Sequence, residues 1–386
     1  MKKIILLGAS GSIGTQTLDI LKEHPEEYRL VGFSVGKQAA KAESILSVFP
    51  KVTGVCFQNK EDAEAFKDIH EDINVLYGED GLCELIDEVE CDMVVNALVG
   101  FVGLLPTIKA LEKNRKVATA NKESLVVGGA IVNAMLDEGK GELFPIDSEH
   151  VGVAKLLKAA KKKEIRKIYI TGSGGALRDL PEEELVNATP EMALAHPNWK
   201  MGDKITIDCA TMMNKGFELI EATVLFRRKM EDFEILMHDE SQVHAAIQYM
   251  NNRYVVDLCD PDMHGPIAYA LEEGKGEYEV KKIRSLKKLK KLHFHDFDPS
   301  RYPAVALCKI AYEKGGNAPA ILNAANEVAV HAFLDHQIVF TDIVYFVEAA
   351  LKRIPYLESP SLEDLVFTDS MTRAYVAEKI ALLTAE

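Results

Sequence analysis

The first 21 residues constrain the fold more than any other stretch, because they read as a strand, a glycine turn and a helix. Residues 2–7 are aliphatic and run directly into Gly8-Ala9-Ser10-Gly11-Ser12-Ile13-Gly14, which opens an amphipathic helix to about Leu21. Such a turn lets the backbone approach a pyrophosphate, which lies on unpaired amides at the positive end of the helix dipole. The spacing is GxxGxxG and not GxGxxG, so a plain tight turn is the alternative. The pattern predicts a dinucleotide-binding α/β domain.

Further strands are predicted along the first 146 residues, at 29–33, 52–57, 93–98, 116–120 and 142–146, with helical patterns between them. This alternation is typical of a parallel sheet, whose ligand lies beyond the carboxyl ends of the strands. Gly100, the run Asn121-Lys122-Glu123 and the run Asp147-Ser148-Glu149 each follow a predicted strand. We therefore expect them at one rim, although a solvated loop would explain any one of them.

The end of the second strand indicates which nicotinamide cofactor is used. An NAD enzyme places Asp or Glu there, against the ribose hydroxyls. This chain has Ser34-Val35-Gly36-Lys37-Gln38 instead. A lysine with a nearby hydroxyl and exposed amides suits a 2′-phosphate, which predicts NADP(H) over NAD(H).

Two carboxylates, Asp147 and Glu149, flank Ser148 where an apolar strand ends, and Glu218 lies in a helix opening further along the chain. Three hard oxygen ligands on convergent segments suit Mg²⁺ or Mn²⁺. Glu221 follows Glu218 by one helical turn on the same face, so one could bind the metal while the other orients it. The alternative is that Asp147 and Ser148 only cap the following helix.

Beyond residue 150 the pattern changes. A strand at 166–170 leads into Thr171-Gly172-Ser173-Gly174-Gly175, which is either an anion-binding turn or a flexible hairpin loop. The loop 196–202 holds the only tryptophan, Trp199, and is interpreted as a lid, with a core tryptophan as the alternative. A strand is predicted at 204–207, and a long helix carrying Glu218 is predicted from Asp208.

The second half of the chain predicts another sheet and a helical bundle. Its strands are expected at 234–237, 243–249 and 254–258. An exposed edge of this sheet would favour dimerisation. The basic stretch 281–291 is interpreted as a solvated linker and not as a nucleic-acid site. Four helices are predicted at 304–314, 318–334, 341–353 and 370–383. On the second of them, Asn323, Asn326 and Glu327 either brace a pocket or cap it.

Composition excludes several classes of protein. A formal net charge of −15 disfavours nucleic acid as a partner, because phosphate backbones require a basic footprint. No apolar run approaches the ~18 residues of a membrane span, and the N-terminus is wrongly flanked for a secretory signal. Six scattered cysteines without a CxxC pair argue against a disulfide frame or structural zinc. We expect a soluble cytoplasmic protein with no membrane partner.

Seven motifs together cover nearly the whole chain: GASGSIG, ANKES, PIDSEH, TGSGG, HPNWKMG, DCATMMNKGFE and LNAANE. Their combination resembles the 1-deoxy-D-xylulose 5-phosphate reductoisomerase family of the methylerythritol phosphate route to isoprenoids. The resemblance implies a homodimer that uses NADPH and one divalent cation, Mg²⁺ or Mn²⁺, with Co²⁺ as a further candidate. The predicted parts are a Rossmann-like NADP domain (1–146), a central α+β catalytic domain with the lid (147–280), a linker (281–300) and a C-terminal four-helix bundle (301–386).

The resemblance also implies roles for individual residues. The metal ligands would be Asp147, Glu149 and Glu218. The substrate would contact Lys122, Ser148, Glu149, Ser173, His196, Trp199, Met201, Cys209, Asn214, Lys215 and Glu218, with Trp199 and Met201 closing the lid. The cofactor would be lined by Ser10, Gly11, Ser12, Ile13, Gly36, Lys37, Gln38, Asn121, Glu123 and Gly202. The catalytic residues would be Lys122, Glu149 and His196.

Two positions depart from the family pattern. Cys209 stands where the family normally has a serine that touches the substrate phosphate, and a thiol is a weaker donor. Gln38 replaces a more usual asparagine beside the NADP phosphate, a small change in reach.

The implied reaction is a carbon-skeleton rearrangement followed by hydride transfer from NADPH to an aldehyde. A divalent ion would polarise the ketone, Lys122 would add positive charge, and Glu149 would move hydroxyl protons. One rival is an NADP-dependent aldehyde or semialdehyde dehydrogenase, which would need Cys209 as its nucleophile. The other is a non-catalytic NADP-binding regulator.

Overall fold

The computed structural model of the protein describes residues 1–36, 38–160, 164–275 and 291–384. Their contacts divide the chain into two compact units. Unit 1 consists of Met1–Ser124, Ala130–Asp147 and Asp262–Glu279, and unit 2 consists of Leu125–Gly129, Ser148–Pro261 and Val280–Glu386. Within the described ranges, no helix has both the length and the apolar character required to cross a bilayer.

Unit 1 is built on a seven-stranded sheet in which every pairing is parallel. Its strands are β1 (Lys2–Leu7), β2 (Tyr28–Val35), β3 (Gly54–Phe57), β4 (Asn74–Tyr77), β5 (Met93–Asn96), β6 (Lys116–Thr119) and β7 (Glu142–Pro145). The order β4-β3-β2-β1-β5-β6-β7 places β1 in the centre, where Ile4 to Leu7 are fully buried. The predicted Rossmann-like α/β fold is therefore confirmed. Strand β4 was not predicted, because at the sheet edge it is only half-buried.

The helices of unit 1 follow the strands in the expected alternation. They are α1 (Ser12–Glu23), α2 (Lys41–Val48), α3 (Lys60–Lys67), α4 (Gly78–Glu88), α5 (Leu104–Glu112) and α6 (Lys122–Asp137), joined much later by α11 (His264–Leu271). Residues Leu125–Gly129 of α6 are counted with unit 2. Ile267 and Leu271 of α11 are buried in the same core as Ile4 and Leu6. Residues 262–275, predicted as part of the central domain, therefore belong to unit 1. No local sequence pattern indicates that a helix packs into the core of an earlier segment.

Unit 2 contains a mixed five-stranded sheet. Its strands are β8 (Ile165–Gly172), β9 (Phe233–His238), β10 (Val243–Tyr249), β11 (Tyr254–Leu258) and β12 (Phe294–Asp296), in the order β11-β10-β8-β9-β12. Only β8 and β9 pair in parallel. Asn252 adopts a φ of 63° in the hairpin between β10 and β11, as the Asn-Asn pair predicted. The strand β12 lies within the predicted 281–300 linker, whose basic residues up to 290 lie outside the described residues.

The helices of unit 2 are α7 (Ser148–Ala159), α8 (Pro190–Leu194), α9 (Asp203–Thr211), α10 (Met213–Phe226), α12 (Pro303–Lys314), α13 (Ala318–Leu334), α14 (Asp342–Arg353) and α15 (Leu362–Thr384). The four C-terminal helices share one hydrophobic core with the sheet and with α10. Ile321 and Ala325 of α13 are completely buried in that core, together with Phe217 of α10. The C-terminal bundle is thus continuous with the remainder of unit 2.

The structure corrects three predicted elements. Residues 204–207 are the first turns of α9 and not a strand, because Lys204 and Asp208 form a buried ion pair at the i,i+4 spacing of a helix (2.9 Å). The predicted long helix is broken at Met212, which has a φ of 60°. Helix α15 begins eight residues before the predicted position 370, after a capping box in which Ser361 and Asp364 bond each other's backbone N–H.

Candidate metal and substrate site

Three carboxylates of the predicted metal set come together in the structure. One oxygen each of Asp147, Glu149 and Glu218 can be chosen so that all lie within 4.8 Å of one another. Asp147 immediately precedes α7, Glu149 lies in its first turn, and Glu218 lies on α10. An ion with ligand bonds of about 2.0–2.6 Å fits among oxygens at this separation. The donor set, made only of carboxylates, suits Mg²⁺ or Mn²⁺.

Two buried lysines balance the charge of these carboxylates. The Nζ atom of Lys122 lies 2.6 Å from Asp147 Oδ2. The Nζ atom of Lys215 contacts Glu149 Oε1 at 2.7 Å and Glu218 Oε2 at 2.6 Å. Each ammonium group thereby offsets negative charge on the carboxylates that it contacts.

The break at Met212 determines how α10 presents its first residues. Helix α10 restarts at Met213, so Asn214, Lys215 and Glu218 lie within its first two turns and are all buried. The Asn214 amide donates to the Glu218 carboxylate, and Lys215 reaches the same carboxylate from one turn away. The turn thereby fixes Glu218 through two neighbours on its own helix.

A buried pair, His150 and Glu221, lies next to the three carboxylates. His150 Nε2 donates to the carbonyl oxygen of Glu218 at 3.0 Å, and His150 Nδ1 lies 3.2 Å from Glu221 Oε2. Both side chains are fully buried. One possible ligand atom each of Asp147, His150 and Glu221 also lie within 4.8 Å of one another. Because Glu221 contacts His150, and His150 bonds the backbone of Glu218, Glu221 can orient the region around Glu218 as the sequence suggested. The role of His150 was not foreseen.

The glycine-rich turn after β8 packs closely against the end of α9. Gly175 has a φ of +68°, and a Cβ on it would lie 2.6 Å from the Ala210 backbone and 2.9 Å from that of Cys209. Ser173 Oγ accepts the Gly175 N–H at 3.2 Å and lies 3.0 Å from His196 Nε2. The turn therefore brings Ser173, Cys209 and His196 into one neighbourhood.

The loop 196–202 is irregular, and His196 organises its first half. His196 Nδ1 accepts the backbone N–H groups of Asn198 and Trp199 at 3.2 and 3.1 Å. Its proton must then be on Nε2, which donates to Ser173 Oγ. Trp199 is half-buried, with its ring edge-on to His244 at 6.1 Å between centroids. Gly202 is the N-cap residue of α9.

His196 gives a testable pH dependence. Burial first, and then the Arg178 guanidinium, lower the pKa of His196 from its usual 6.5. Protonation of Nδ1 would take the acceptor away from both amides of the loop. Because the pKa is lowered, the neutral ring persists as the pH falls through 6.5, and the loop should loosen only below that pH. We expect Trp199 emission from the free protein to change with a midpoint below 6.5 at unchanged far-UV circular dichroism. The variant His196→Gln should lack this transition; a midpoint above 6.5 would contradict the assignment.

Cys209 gives a second prediction at this turn. It is partly exposed, and its backbone packs against Gly175 beside Ser173. A hydroxyl donates a stronger hydrogen bond than a thiol. We expect Cys209→Ser to lower the KM for a phosphorylated substrate or leave it unchanged, as measured by steady-state NADPH oxidation. A large loss of activity would contradict a phosphate contact at this position.

Buried polar contacts connect α9 to the C-terminal helices. Asn326 Nδ2 of α13 donates to Asp208 Oδ1 at 2.8 Å, and Lys204 pairs with the other oxygen of Asp208. Asn323 donates to Glu327, and Glu327 pairs with Arg373 of α15. Of the two roles considered for these residues, bracing is the one that the contacts support. Asp208 immediately precedes Cys209.

The predicted dinucleotide turn in unit 1 has the expected geometry. Gly8 has a φ of +82°, and a Cβ on it would lie 2.6 Å from the Ala97 carbonyl oxygen. Gly11 and Ser12 are exposed where α1 begins. The Gly11 N–H closes the turn by donating to the Gly8 carbonyl oxygen at 3.1 Å, so the N–H groups that can donate to an anion are those of the first turn of α1, from Ser12 onward. Ser34 corrects the sequence analysis: it is buried and accepts the Gly8 N–H at 2.9 Å, so it supports the turn and is unsuited to a 2′-phosphate.

The other predicted cofactor residues differ in their exposure and in the hydrogen bonds that they already make within the protein. Gly36 and Gln38 follow β2, with Gln38 exposed, whereas Lys37 lies outside the described residues. Asn121 is fully buried: its Nδ2 donates to the carbonyls of Leu98 and Gly100, and its Oδ1 accepts the Ser124 N–H at the start of α6. Its side chain thus fixes the loop after β5, and Glu123 lies beside it, also buried.

Three family models match successive parts of the chain. Residues 4–129 match 1-deoxy-D-xylulose 5-phosphate reductoisomerase, and residues 143–226 match the 1-deoxy-D-xylulose 5-phosphate reductoisomerase C-terminal domain. Residues 258–375 match the DXP reductoisomerase C-terminal domain.

Individual relatives match over almost the full length. The 1-deoxy-D-xylulose 5-phosphate reductoisomerase of Geobacillus sp. (strain WCH70) is 43% identical over 382 residues, which cover 97% of this chain and 99% of the relative. The protein of the same name from Bacillus cereus (strain AH187) is 41% identical, covering 98% and 100%. A crystal structure of DOX-P reductoisomerase in complex with NADPH, fosmidomycin and magnesium superposes with a TM-score of 0.92 at 33% identity, covering 99% of each chain. The Zymomonas mobilis enzyme in complex with NADPH gives 0.87 at 33%, covering 98% and 99%.

Proposed function

The chain belongs to the 1-deoxy-D-xylulose 5-phosphate reductoisomerase family, and on that premise we propose that Asp147, Glu149 and Glu218 hold the divalent cation of its reaction. The protein is an NADPH- and metal-dependent oxidoreductase that converts 1-deoxy-D-xylulose 5-phosphate into 2-C-methyl-D-erythritol 4-phosphate, in the methylerythritol phosphate route to isoprenoid precursors. Membership of this family replaces the rival interpretations, a dehydrogenase with Cys209 as nucleophile and a non-catalytic regulator.

The observation that carries the assignment is the convergence of three carboxylates, from two distant chain segments, within 4.8 Å. When bound there, the cation polarises the ketone of the substrate and stabilises the negative charge that the rearrangement develops. Lys122 holds Asp147 in place through their 2.6 Å contact and adds a positive charge. Glu149 accepts a hydrogen bond from the Ser148 hydroxyl at 2.5 Å, so an exchangeable proton lies directly against its carboxylate. Glu149 is therefore our candidate for moving hydroxyl protons during the reaction.

We propose that the substrate phosphate is bound by the 171–175 turn and the start of α10. Ser173 Oγ accepts two hydrogen bonds, from Gly175 N–H and from His196 Nε2, which leaves its own O–H to donate. Lys215 supplies positive charge, and Asn214 and Cys209 supply further donors. Ser148 and His196 would contact the remainder of the sugar phosphate, and Trp199 and Met201 would cover it and exclude water.

NADPH is assigned to the turn between β1 and α1. The exposed start of α1 at Ser12, with Ser10, Gly11 and Ile13 around it, suits the pyrophosphate. Gly36, Lys37 and Gln38 would hold the 2′-phosphate, and Asn121, Glu123 and Gly202 would complete the site. The bound cofactor supplies the hydride. In domain terms, we propose residues 1–146 for NADPH, 147–280 for metal and substrate with the exception of α11, which packs in the core of unit 1, 281–300 as a linker and 301–386 as support.

Metal removal is the experiment that tests this function. NADPH oxidation is followed at 340 nm with 1-deoxy-D-xylulose 5-phosphate, with EDTA and after adding back Mg²⁺ or Mn²⁺. We expect EDTA to abolish turnover and either cation to restore it, because the carboxylate set is hard and contains no thiolate or free imidazole. Undiminished turnover after exhaustive chelation would refute the assigned metal site. Absence of turnover with the cation present would refute the function.

We also propose that the protein forms a homodimer through β11. This strand lies at the edge of its sheet, and Tyr254, Val255 and Val256 are exposed there. An exposed apolar edge is a template for pairing with a second copy. Sedimentation velocity should give a dimer for the parent protein and a monomer for Val255→Lys/Val256→Lys. A dimer in both would place the interface elsewhere.

The cytoplasm is the proposed location. All six cysteines are free thiols, and Cys56, Cys91 and Cys308 are buried, where burial raises the pKa of each thiol. Persistent free thiols fit a reducing compartment.

A further inference from the structure

Arg178 lies directly after the 171–175 turn and connects it to a second segment of the same unit. Its Nη1 donates to the Ser173 carbonyl at 3.3 Å and to the Asp239 carbonyl at 3.2 Å. The same nitrogen lies 3.3 Å from Asp239 Oδ1. Asp239 begins the turn between β9 and β10. One guanidinium nitrogen therefore joins the backbone of the proposed phosphate turn to the backbone of the β9–β10 turn.

The β9–β10 turn also holds the loop that carries Trp199. Asn198 Nδ2 donates to the Asp239 carbonyl at 2.7 Å and to Ser241 Oγ at 3.0 Å. Arg178 and Asn198 consequently share one acceptor, the carbonyl oxygen of Asp239. These contacts fix the position of the residue that immediately precedes Trp199.

A second connection runs in parallel to the first. His196 bonds Ser173 through Nε2, and through Nδ1 it accepts the backbone N–H groups of Asn198 and Trp199. Arg178 also helps burial to keep the pKa of His196 low, which preserves the neutral ring that can accept those amides. Both sides of Asn198, its backbone and its amide, are thereby tied to the turn that contains Ser173.

We propose that Arg178 is a positioning residue that couples the phosphate turn 171–175 to the loop 196–202 through the Asp239 carbonyl. This inference rests on the proposed function, in that the turn must receive a phosphate. A ligand on Ser173 fixes the Ser173 carbonyl, Arg178 then fixes Asp239, and Asn198 follows. Filling the phosphate position thus favours one arrangement of the segment around Trp199. An arginine suits this role because its planar guanidinium points its N–H groups in fixed directions, which the freely rotating ammonium of a lysine does not.

The single tryptophan makes the coupling measurable without turnover. Trp199 emission is titrated with inorganic phosphate in the full-length protein, without cation or NADPH, while calorimetry measures phosphate binding separately. We expect saturable phosphate-dependent emission in the parent protein. In Arg178→Gln the apparent Kd for phosphate should rise about 10-fold or more, and the emission change at saturation should be lost. Asp179→Asn is the matched control, because this exposed carboxylate contacts Nε of Arg178, whereas Nη1 is the nitrogen that joins the two turns; it should behave like the parent.

Two results would overturn the proposal. The first is that Trp199 emission of the parent protein does not change when phosphate binds. The second is that Arg178→Gln shows the same emission change as the parent. If Arg178→Gln does not fold, Asn198→Ala tests the same path and should lose the emission change while binding phosphate within about threefold of the parent. An Asn198→Ala variant with the parent's response would count equally against the coupling. Failure of the proposed function is distinguishable, because it appears in the parent as absent cation-dependent turnover.

A double-mutant cycle tests whether the two side chains act through the shared carbonyl. If they do, the loss of kcat/KM in Arg178→Gln/Asn198→Ala should be at least about 5-fold smaller than the product of the two single losses. Multiplicative losses would show that Arg178 and Asn198 act independently and would refute the shared path.

Discussion

Replacing Glu149 by glutamine is expected to lower kcat by roughly 10³-fold while leaving the Kd for NADPH within about twofold. Glu149 belongs to the three-carboxylate cluster, accepts the Ser148 hydroxyl and pairs with Lys215 at 2.7 Å. The amide keeps the shape of the side chain but removes its charge and its ability to take up a proton. Cation binding and proton movement are therefore lost together. NADPH binding is assigned to backbone amides of the β1–α1 turn, which this change leaves intact.

The measurement is single-turnover and steady-state NADPH oxidation together with NADPH binding by fluorescence. Glu234→Gln is a suitable control, because Glu234 is a half-exposed carboxylate on β9 whose contact with Lys167 is a weak 3.9 Å pair. Near-normal kcat in Glu149→Gln at saturating cation would remove Glu149 from the chemistry. Restoration of kcat by a higher cation concentration would assign it to metal binding alone.

Lys215→Met is expected to change two affinities in opposite directions. The ammonium of Lys215 contacts two of the three carboxylates at 2.7 and 2.6 Å and is almost fully buried. Without it, Glu149 and Glu218 carry uncompensated charge, which attracts a divalent cation more strongly but repels the substrate phosphate. Two unit charges about 4 Å apart interact with about 1 kcal/mol at the dielectric constant of water and about 4 kcal/mol at an effective dielectric constant of about 20. We therefore expect the Kd for Mn²⁺ alone to fall about 10-fold and the KM for the sugar phosphate to rise about 100-fold.

Calorimetric titration with Mn²⁺ in the absence of substrate, and steady-state kinetics at saturating cation, give the two quantities. Lys167→Met, which removes a lysine on β8 whose ammonium group contacts the Glu231 carbonyl and the Glu234 carboxylate, controls for the loss of a positive charge elsewhere. If Mn²⁺ instead binds more weakly in Lys215→Met, the lysine organises the carboxylates and its charge is not the dominant effect. Thermal unfolding of each variant shows whether the buried methionine is tolerated.

Most of unit 1 could be predicted from the sequence, because its signals are local. β1 is a run of buried aliphatic residues followed by a turn in which Gly8 needs a positive φ, and both features are visible in the residues themselves. Four-residue strands such as β5 and β6 were found because they are fully or mostly buried. β4 was missed because an edge strand buries too little to be continuously apolar. The start of α15 is also a local signal, because Ser361 and Asp364 have the spacing of a capping box.

The candidate site likewise contains residues that the sequence predicts and partners that it does not. Carboxylates at 147, 149 and 218 could be proposed because each follows the end of a strand or opens a helix, where functional groups project from a regular scaffold. The remaining partners could not be foreseen. His150, Arg178 and Asn198 act on groups up to 68 residues away in the chain. The strand predicted at 204–207 fails for a related reason: the alternation of Ile205 and Ile207 suits a strand, but the Lys204–Asp208 pair and the Asn326 contact are satisfied only in a helix.

The sequence by itself determined the parallel nucleotide-binding sheet, the hairpin at Asn252 and the choice of hard oxygen ligands, since backbone preference, hydrophobic period and ligand chemistry are properties of neighbouring residues. Only the tertiary structure decided which lysine faces which carboxylate, that α11 returns to the first core, and that the Asp239 carbonyl receives both Arg178 and Asn198. The physical reason is that buried charges and hydrogen-bonding groups must be satisfied by whatever the fold brings within about 3 Å, and that distance is set by packing between segments far apart in the chain.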